Sequence, residues 1–176
     1  MFTIRPAEKT EFDPVCRFYH ALIDAIQSAP YHPGWEKDVY PADADLRAAI
    51  SAGQLHIGLL DGRIGAAMVL NREYLEHYGR VAWPVAAEAD RVLFLHLLCV
   101  HPALRGKGYA KALVSRALSL AKEGGNRALR LDVLSENLPA RSLYRSLGFR
   151  YVDTLRVSFP DAGQMTFELY EHPLEG

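Results

Sequence analysis

A short, positively charged glycine-rich segment is the part of the sequence whose residue types most directly imply chemistry. Arg105-Gly106-Lys107-Gly108 is followed closely by Lys111, so three cationic side chains accompany two glycines. Glycine lets the backbone approach a ligand closely, because it has no Cβ. If a helix begins here, its first N–H groups lack partners and lie at the positive end of the helix dipole. These residues therefore predict a site for a phosphate or pyrophosphate.

The residues on either side of this segment predict the elements that hold it. Leu93 to Val100 is an apolar run, too short to span a membrane and followed by Pro102, as expected for a strand buried on both faces. After the segment, apolar residues recur at helical spacing, namely Ala110, Leu113, Val114, Ala117, Leu118 and Ala121. The predicted unit is a strand, a glycine-rich turn and a helix.

Residue spacing separates the known kinds of glycine-rich phosphate loop. A dinucleotide-binding loop needs Gly or Ala at the sixth position, where this chain has Lys111, and a P-loop needs Ser or Thr where it has Gly108. The pattern that fits is R-x-x-G-x-A, formed by Arg105, Gly108 and Ala110 after a strand that ends in Val-x-Pro. This pattern resembles the acetyl-CoA pyrophosphate loop of the GNAT superfamily of N-acetyltransferases.

A second motif carries the same resemblance. Residues 135–149 read S-E-N-x-x-A-x-x-x-Y-x-x-x-G-F, with Asn137, Ala140, Tyr144 and Gly148 at the spacing of the superfamily segment N-x-x-A-x-x-[LF]-Y-x-x-x-G-F. The two motifs also stand at the proper separation. The resemblance covers essentially the whole chain, because the order of predicted elements agrees with it as well.

The predicted elements alternate between strands and helices without an internal repeat or linker. Strands are expected at 2–5, 55–60, 64–70, 93–100, 128–134, 149–157 and 165–171, with helices over 12–26, from Asp43 to Gly53, from the glycine-rich turn to Gly124, and from Asn137 to Leu147. Asp61-Gly62 suits a tight hairpin and Pro160 to Gly163 a second turn, while Asn71 to Arg91 forms a long loop. This order predicts a mixed sheet flanked by helices. The GNAT fold that it resembles is α/β (α+β), with a mostly antiparallel sheet containing one splayed parallel pair.

Bulk properties set limits on the class of protein. The chain has 176 residues, 49% hydrophobic, and a formal net charge of −1, which predicts one domain over residues 1–176 and no nucleic-acid partner. No signal peptide or long apolar run is present, so we expect no membrane partner. Cys16 and Cys99 lie in apolar patterns, as expected for reduced core thiols. Together these features predict a cytoplasmic location.

The resemblance implies acetyl-CoA as co-substrate, lying where the two parallel strands splay apart. Its pantetheine arm would bond to the backbone of Leu98, Cys99 and Val100. Its pyrophosphate would bind the amides of the glycine-rich turn, and Asn137 would contact it further along. The residues assigned to the pyrophosphate are Arg105, Gly106, Lys107, Gly108, Tyr109 and Ala110. No metal is expected, because His32 and His56 show no ligand pattern with a carboxylate or cysteine.

Acetyl transfer to an amine requires a base, an oxyanion donor and an acid for the departing thiolate. The resemblance places Tyr144 near the CoA sulfur as the acid, although the same residue fits the packing stripe of its helix. His96 is the candidate base, because its ordinary pKa of about 6.5 suits proton transfer near neutrality. Many GNAT relatives have a glutamate at this position, so a water relay, Glu73 and His77 remain alternatives.

Two further residues leave alternatives open. A backbone amide near Cys99 is the oxyanion donor that the resemblance implies, and the thiol itself is expected to be a core residue rather than a nucleophile. Asp132 can form hydrogen bonds near the acceptor or neutralise Arg130, and the sequence does not choose between these roles.

Aromatic residues before the central strand predict where the acceptor binds. Trp35, Tyr40, Tyr74 and Trp83 are the candidate substrate-binding residues, and Tyr31 and Tyr78 belong to the same aromatic set. They favour a small amine or amino-acid-like acceptor held through apolar and cation–π contacts. The same rings are also compatible with a core edge or with the face of a homodimer.

Three functions are therefore weighed. The first is an acetyl-CoA-dependent N-acetyltransferase that acts on a small molecule by direct attack in a ternary complex, with a peptide or protein acceptor as its variant. The second is a non-catalytic acyl-CoA sensor of the same fold. The third is an unrelated α/β domain whose loop binds ATP or NAD.

Overall fold

The computed structural model describes residues 1–27, 33–159 and 163–174. Tyr31, Pro30 and most of the turn predicted at Pro160 to Gly163 lie outside these ranges. The described elements are β1 (Phe2–Pro6), α1 (Phe12–Ile26), α2 (Asp43–Ser51), β2 (Leu55–Leu60), β3 (Arg63–Asn71), β4 (Val92–Val100), α3 (Tyr109–Glu123), β5 (Ala128–Leu134), α4 (Leu138–Ser146), β6 (Arg150–Phe159) and β7 (Gly163–Pro173). Their order is the predicted one.

The strands form a seven-stranded sheet in the order β1-β2-β3-β4-β5-β7-β6. β4 and β5 pair in parallel, whereas β1–β2, β2–β3, β5–β7 and β6–β7 are antiparallel. The parallel ladder covers only Val92–Phe94 opposite Ala128–Arg130, although both strands continue beyond it. The predicted fold class, a mixed and mostly antiparallel sheet with a splayed parallel pair, is confirmed.

The chain divides into two compact units. The first unit comprises Met1–Leu70 and Leu97–Leu113, and the second comprises Asn71–His96 and Val114–Gly176. The prediction of one domain over residues 1–176 is not tested by this division and stays a prediction.

The first unit has a core built on α1, whose apolar residues recur at helical spacing. Val15, Tyr19 and Leu22 of α1 are almost completely buried and belong to one cluster with Leu55 and Ile57 of β2. β2 and β3 are joined by Asp61-Gly62, and both residues have positive φ, 49° and 78°. This is the backbone that a two-residue turn needs in order to match strand twist, so the predicted hairpin is confirmed.

The second unit has its own aromatic core. Tyr78 and Phe94 stack with ring centroids 5.3 Å apart, and both belong to a cluster with Val81, Val92 and Leu169. Tyr78 comes from the segment between β3 and β4, which the sequence predicts as one long loop. In the structure this segment contains short 3-10 turns at Glu76–Arg80 and Ala89–Arg91, because the aromatic side chains bury the turn that carries them.

Two further predictions concern the whole described chain. Cys16 and Cys99 are buried free thiols, as expected. Within the described ranges, none of the helices has the length and apolar character needed to cross a bilayer.

Candidate active site

The glycine-rich turn of the first unit is an exposed bend immediately before α3. Gly106 and Gly108 have φ of 75° and 83°, and a Cβ built on either would meet nothing within 4 Å. Glycine is therefore required here by the left-handed backbone and not by crowding, since other L-residues adopt this region at a cost. A 3-10 turn at Pro102–Leu104 precedes the bend, and His101 Nδ1 accepts a hydrogen bond from the Ala103 amide.

The backbone donors of this turn are available to a ligand. Leu104 and Arg105 donate to the carbonyls of His101 and Pro102, and Ala112 donates to the Gly108 carbonyl. Between them, the N–H groups of residues 106 to 111 meet no backbone acceptor in the described part of the chain. No carboxylate of the described residues forms an ion pair with the three cations of this segment, Arg105, Lys107 and Lys111. This arrangement fits a pyrophosphate.

The C-terminal half of β4 begins with an irregular residue. Leu97 has a φ of 50°, which is left-handed backbone in a residue with a branched side chain. The hydroxyl of Tyr19 donates a 3.1 Å hydrogen bond to the Leu97 carbonyl. Tyr19 is fully buried, and burial raises the pKa of its phenol well above the ordinary value. Leu98, Cys99 and Val100, the residues predicted to contact pantetheine, follow directly on this irregularity.

Cys99 has the properties of a core thiol. It is buried, it donates to the Ala67 carbonyl at 3.8 Å, and burial raises the pKa of its thiol to about 12. A thiol with this pKa is protonated at neutral pH and is a poor nucleophile, so the structure supports the expected core role.

His96 in the second unit has the geometry of a proton acceptor. Its Nε2 is buried and has no hydrogen-bond partner among the described residues. The Nε2 lone pair is free in the tautomer that carries the ring proton on Nδ1. Burial lowers the pKa of His96 below its ordinary 6.5, while the charges of Asp132 and Glu73 oppose that shift. The imidazole is therefore neutral near pH 7.

Asp132 lies at the centre of several polar side chains of the second unit. It accepts a 2.6 Å hydrogen bond from the Tyr78 hydroxyl, and its Oδ2 is 3.9 Å from Nε2 of His77. It also acts electrostatically on both His96 and Tyr144. The alternative role for Asp132, neutralising Arg130, is wrong. Glu171 of β7 does this instead: it stands directly opposite Arg130 on β5, and their side chains form a buried ion pair at 2.9 Å.

Tyr144, the predicted acid, is a buried residue of α4. Its ring packs near Phe149 and Tyr170, with centroids 5.7 and 6.4 Å away. Burial and the nearby Asp132 carboxylate raise the pKa of its phenol above the ordinary value. Its hydroxyl forms no hydrogen bond with the described residues. The proton is thus retained at neutral pH, and the raised pKa makes the phenol a weaker acid. The packing role fits the structure, and the acid role stays a prediction.

Asn137 opens α4, as the sequence predicts. It is the N-cap of α4, and its Oδ1 accepts a hydrogen bond from the Ala140 amide at 3.2 Å. Only its amide NH2 group remains to serve a ligand. The predicted cofactor contact therefore depends on a donor and not on the oxygen.

The predicted substrate-binding aromatics fall into two sets. Tyr74 and Trp83 belong to the second unit, where both rings meet Phe94 edge-on at 6.0 and 6.4 Å. Trp35 belongs to the first unit and packs on Tyr19 with centroids 6.1 Å apart, so it takes part in a core. Tyr40 is about half exposed. Tyr74 and Trp83 are the pair that lines a cavity.

A cavity lies in each of the two units. In the second unit, Tyr74, Trp83 and Phe94 line a cavity of about 270 Å³ together with Arg72 and Arg130. In the first unit, a wider depression of about 560 Å³ is formed by Phe12 and one face of α2, and it includes none of the predicted site residues. Arg72 and Phe94 are the residues that sequence reasoning missed. The only signal for Arg72 was its position, one residue after the end of β3.

The expectation that no metal is used stays a prediction. His20, Asp38 and Asp43 of the first unit hold one nitrogen and two carboxylate oxygens within 4.8 Å of one another. His20 Nε2 is 3.0 Å from Asp43 Oδ1, a hydrogen-bonding distance, which already accounts for this proximity.

Comparison with protein-family models gives one match. The model described as the acetyltransferase (GNAT) family matches residues 20–149, a span that includes the glycine-rich turn, His96 and Tyr144.

Curated proteins and a solved structure give related matches. The chain is 30% identical over 94 residues to the [ribosomal protein bS18]-alanine N-acetyltransferase of Haemophilus ducreyi, covering 53% of this chain and 65% of that one. It is 38% identical over 77 residues to the N-acetylaspartate synthetase of Xenopus tropicalis, covering 42% and 28%. It thus spans less than two thirds of either relative. The yncA structure from Salmonella typhimurium, described with its cofactor acetyl-CoA, has a TM-score of 0.73 at 18% identity and covers 100% of this chain and 95% of its own.

Proposed function

Because the chain belongs to the GNAT acetyltransferase family, we propose that it transfers the acetyl group of acetyl-CoA to a primary amine of a small, amino-acid-like molecule. We assign this activity to residues 1–176 as a single domain. The observation that carries the proposal is the exposed bend at residues 105–110, whose row of N–H groups has no backbone acceptor in the described chain and whose cations are unpaired. A pyrophosphate satisfies both needs at once.

The cofactor assignments follow the chain. The bend holds the pyrophosphate through the amides of residues 106 to 110, with Arg105 and Lys107 adding charge. The backbone of Leu98, Cys99 and Val100 holds the pantetheine arm, and the Asn137 amide donates further along. Tyr19 fixes the backbone just before these three residues, because its hydroxyl binds the Leu97 carbonyl.

The catalytic assignments use His96, whose Nε2 has no hydrogen-bond partner among the described residues, and the hydroxyl of Tyr144. Acetyl-CoA supplies an activated thioester and a thiolate leaving group. His96 takes a proton from the acceptor ammonium at Nε2, since that lone pair is free and the ring is neutral near pH 7. A backbone N–H near Cys99 stabilises the developing oxyanion. Tyr144 gives its hydroxyl proton to the sulfur as the C–S bond breaks. The nitrogen loses its second surplus proton as the amide forms, and this proton reprotonates Tyr144 through solvent. The one proton left on His96 then passes to water.

A small acceptor is favoured over a protein because the aromatic pair Tyr74 and Trp83 lines a cavity of only about 270 Å³, near the lower end of small-molecule pockets. The relatives include both kinds of enzyme, one named for a ribosomal-protein alanine and one for N-acetylaspartate. A peptide acceptor is the second candidate that these names support.

Ligand-induced stabilisation is the first test. A ligand that binds only the folded state raises Tm by mass action, so acetyl-CoA and CoA should raise it while ATP and NAD do not. Thiol release is then measured with a panel of primary amines and with short peptides. Stabilisation by ATP or NAD alone would overturn the loop assignment. Binding of acetyl-CoA with no transfer to any amine, and no effect of Tyr144→Phe, would identify a sensor.

Three further expectations are proposals that separate measurements check. We propose a cytoplasmic location, tested by fractionation of cells that express the protein. We propose that a homodimer is the state to look for in solution, tested by light scattering during gel filtration. We propose no metal requirement, tested by activity after dialysis against a chelator.

A further inference from the structure

The cavity of the second unit contains more hydrogen-bond donors than its own residues satisfy. Arg72 and Arg130 line it, with Trp83, Tyr74 and Phe94 as aromatic walls. Nε1 of Trp83 is buried and has no hydrogen-bond partner among the described residues. A ligand acceptor that reaches this N–H would supply the partner that the described residues do not.

The two arginines differ in how their charge is balanced. Arg130 is paired with Glu171 at 2.9 Å, donates to the Val85 carbonyl and stacks over Trp83. The carboxylate of Glu171 is fully used, because its other oxygen accepts from the Val85 amide. Arg130 is thus a neutralised part of the wall.

Arg72 is not neutralised. Its Nη1 donates to the Val92 carbonyl at 3.0 Å and to Asn126 Oδ1 at 2.7 Å, and both acceptors are uncharged. In the described part of the chain no carboxylate comes within 4.0 Å of its guanidinium. Neutral acceptors therefore hold one corner of the guanidinium in place, while Nε and Nη2 retain donors for a ligand. An oriented, unbalanced guanidinium beside an aromatic wall is a recognition group for a carboxylate.

The point on β4 at which the Arg72 side chain is held restricts which carboxylate-bearing acceptor fits. Val92, Phe94 and His96 lie on one face of the strand, and the Phe94 and His96 rings stack with centroids 6.1 Å apart. Arg72 is anchored at Val92, four residues before His96, which is about 13 Å at 3.3 Å per residue. A carboxylate bound by Arg72 and an amine that reaches His96 are therefore several bonds apart. The two groups of an α-amino acid are too close together for this span.

We infer that the acceptor is an ω-amino carboxylate: Arg72 and the Trp83 indole N–H bind its carboxylate, Phe94 supports its chain, and its terminal amine reaches His96. This inference rests on the proposed function and on His96 as its base. It names the class of acceptor, a linear amine with a carboxylate several bonds away.

The test compares probes that differ in one feature. 6-Aminohexanoate carries both groups at the required separation. Its isomer 2-aminohexanoate brings them together, and 6-aminohexanamide replaces the carboxylate with a neutral group of similar size. We expect the wild-type kcat/KM to be roughly 10- to 150-fold higher for 6-aminohexanoate than for the amide, the range for a charge-assisted hydrogen bond. Arg72→Gln should remove this preference, so that the acid and the amide react at similar kcat/KM.

Two variants serve as controls. Arg156→Gln removes one arginine from an exposed position of β6 in the same unit and should keep the preference. Arg72→Lys keeps the positive charge but loses the two-pronged guanidinium, so this variant should retain part of the preference for the acid over the amide. Stabilisation by acetyl-CoA, measured for every variant, shows that each is folded. Equal rates for the acid and the amide, or a preference that survives Arg72→Gln, would overturn the inference while the acetyltransferase proposal stands.

A binding measurement without turnover tests the carboxylate site even if the proposed acetyltransferase activity is wrong. In a Trp35→Phe background, Trp83 is the remaining tryptophan and lies in the cavity wall. Its fluorescence should change with hexanoate and not with hexanamide, and Arg72→Gln should weaken the response. If no amine is acetylated, this response still supports the carboxylate site. Its absence in protein that binds acetyl-CoA would refute the site.

Discussion

Replacing His96 tests the assignment of the base most directly. His96→Asn is the informative change, because asparagine keeps a smaller polar side chain at this position while the free Nε2 is lost. A positioned base contributes about 10²- to 10⁴-fold to a rate. At 1.36 kcal/mol per tenfold, this raises the barrier by about 2.7–5.5 kcal/mol. We expect kcat at neutral pH to fall by that factor, with an unchanged Tm shift on adding acetyl-CoA.

The pH profile gives the sign of the effect. Burial lowers the pKa of His96 below 6.5, so the neutral base prevails at pH 7. The wild-type kcat/KM should therefore hold as pH falls to 6.5 and decline only below it, where the ring becomes protonated. The variant should lose this acidic limb. The assay is thiol release across pH 5 to 9 with a constant acceptor.

The free energy of unfolding should also depend on the protonation of His96. Above pH 6.5 neither the folded nor the unfolded state protonates His96, so the residue has no pH-dependent effect. Below 6.5 the unfolded chain takes up the proton while the folded one resists it, so the free energy of unfolding decreases until the lowered folded pKa is reached. His96→Asn should remove this part of the acid-side loss, measured by urea denaturation at pH 5 and pH 7.

A matched control separates base from structure. His77→Asn removes the other described histidine whose buried Nε2 has no partner, in the same unit and beside Asp132. It should leave the acidic limb in place. If His96→Asn retains the wild-type rate and pH profile while His77→Asn does not, the reasoning from the free His96 lone pair is refuted and His77 becomes the base.

Three other changes have defined outcomes. Tyr144→Phe should lower kcat by at least tenfold with little change in KM or in stability, measured by steady-state kinetics; an unaltered kcat would show that the phenol only packs. Tyr19→Phe leaves the buried Leu97 carbonyl without its donor and should reduce the free energy of unfolding by about 1–3 kcal/mol, measured in urea, and weaken acetyl-CoA binding. Gly108→Ala forces a Cβ into left-handed backbone at about 1–2 kcal/mol; it should reduce the acetyl-CoA Tm shift, whereas an unreduced shift would exclude the bend as its site.

Local pattern was enough to place most elements. The α1 stripe predicts a helix over 12–26, and the helix observed is Phe12–Ile26; β2 and β5 also have the predicted bounds. Asp61-Gly62 fixes its hairpin because both residues tolerate positive φ. In each case the signal lies within a few residues of the feature.

Features that depend on distant partners were not predictable in the same way. β7 pairs with β5 and β6 on its two edges, an insertion that no local pattern encodes. The partner of Arg130 is another example. The sequence offers Asp132, two residues away from Arg130. Successive side chains of a strand point to opposite faces, so these two residues lie side by side on one face and do not stand opposite each other on paired strands. The cross-strand register brings Glu171 directly opposite instead.

The same register explains why the acceptor cavity escaped sequence reasoning. Because Glu171 neutralises Arg130, Arg72 is the one of the two arginines that leaves a net positive charge on the cavity wall. Arg72 is held by two uncharged groups, the Val92 carbonyl and Asn126. A sequence shows two cations and several carboxylates near one another along the chain but not which of them pair. The net charge of −1 for the whole chain conceals a local excess of one positive charge. That excess, set by strand register, is what makes the site selective for a carboxylate.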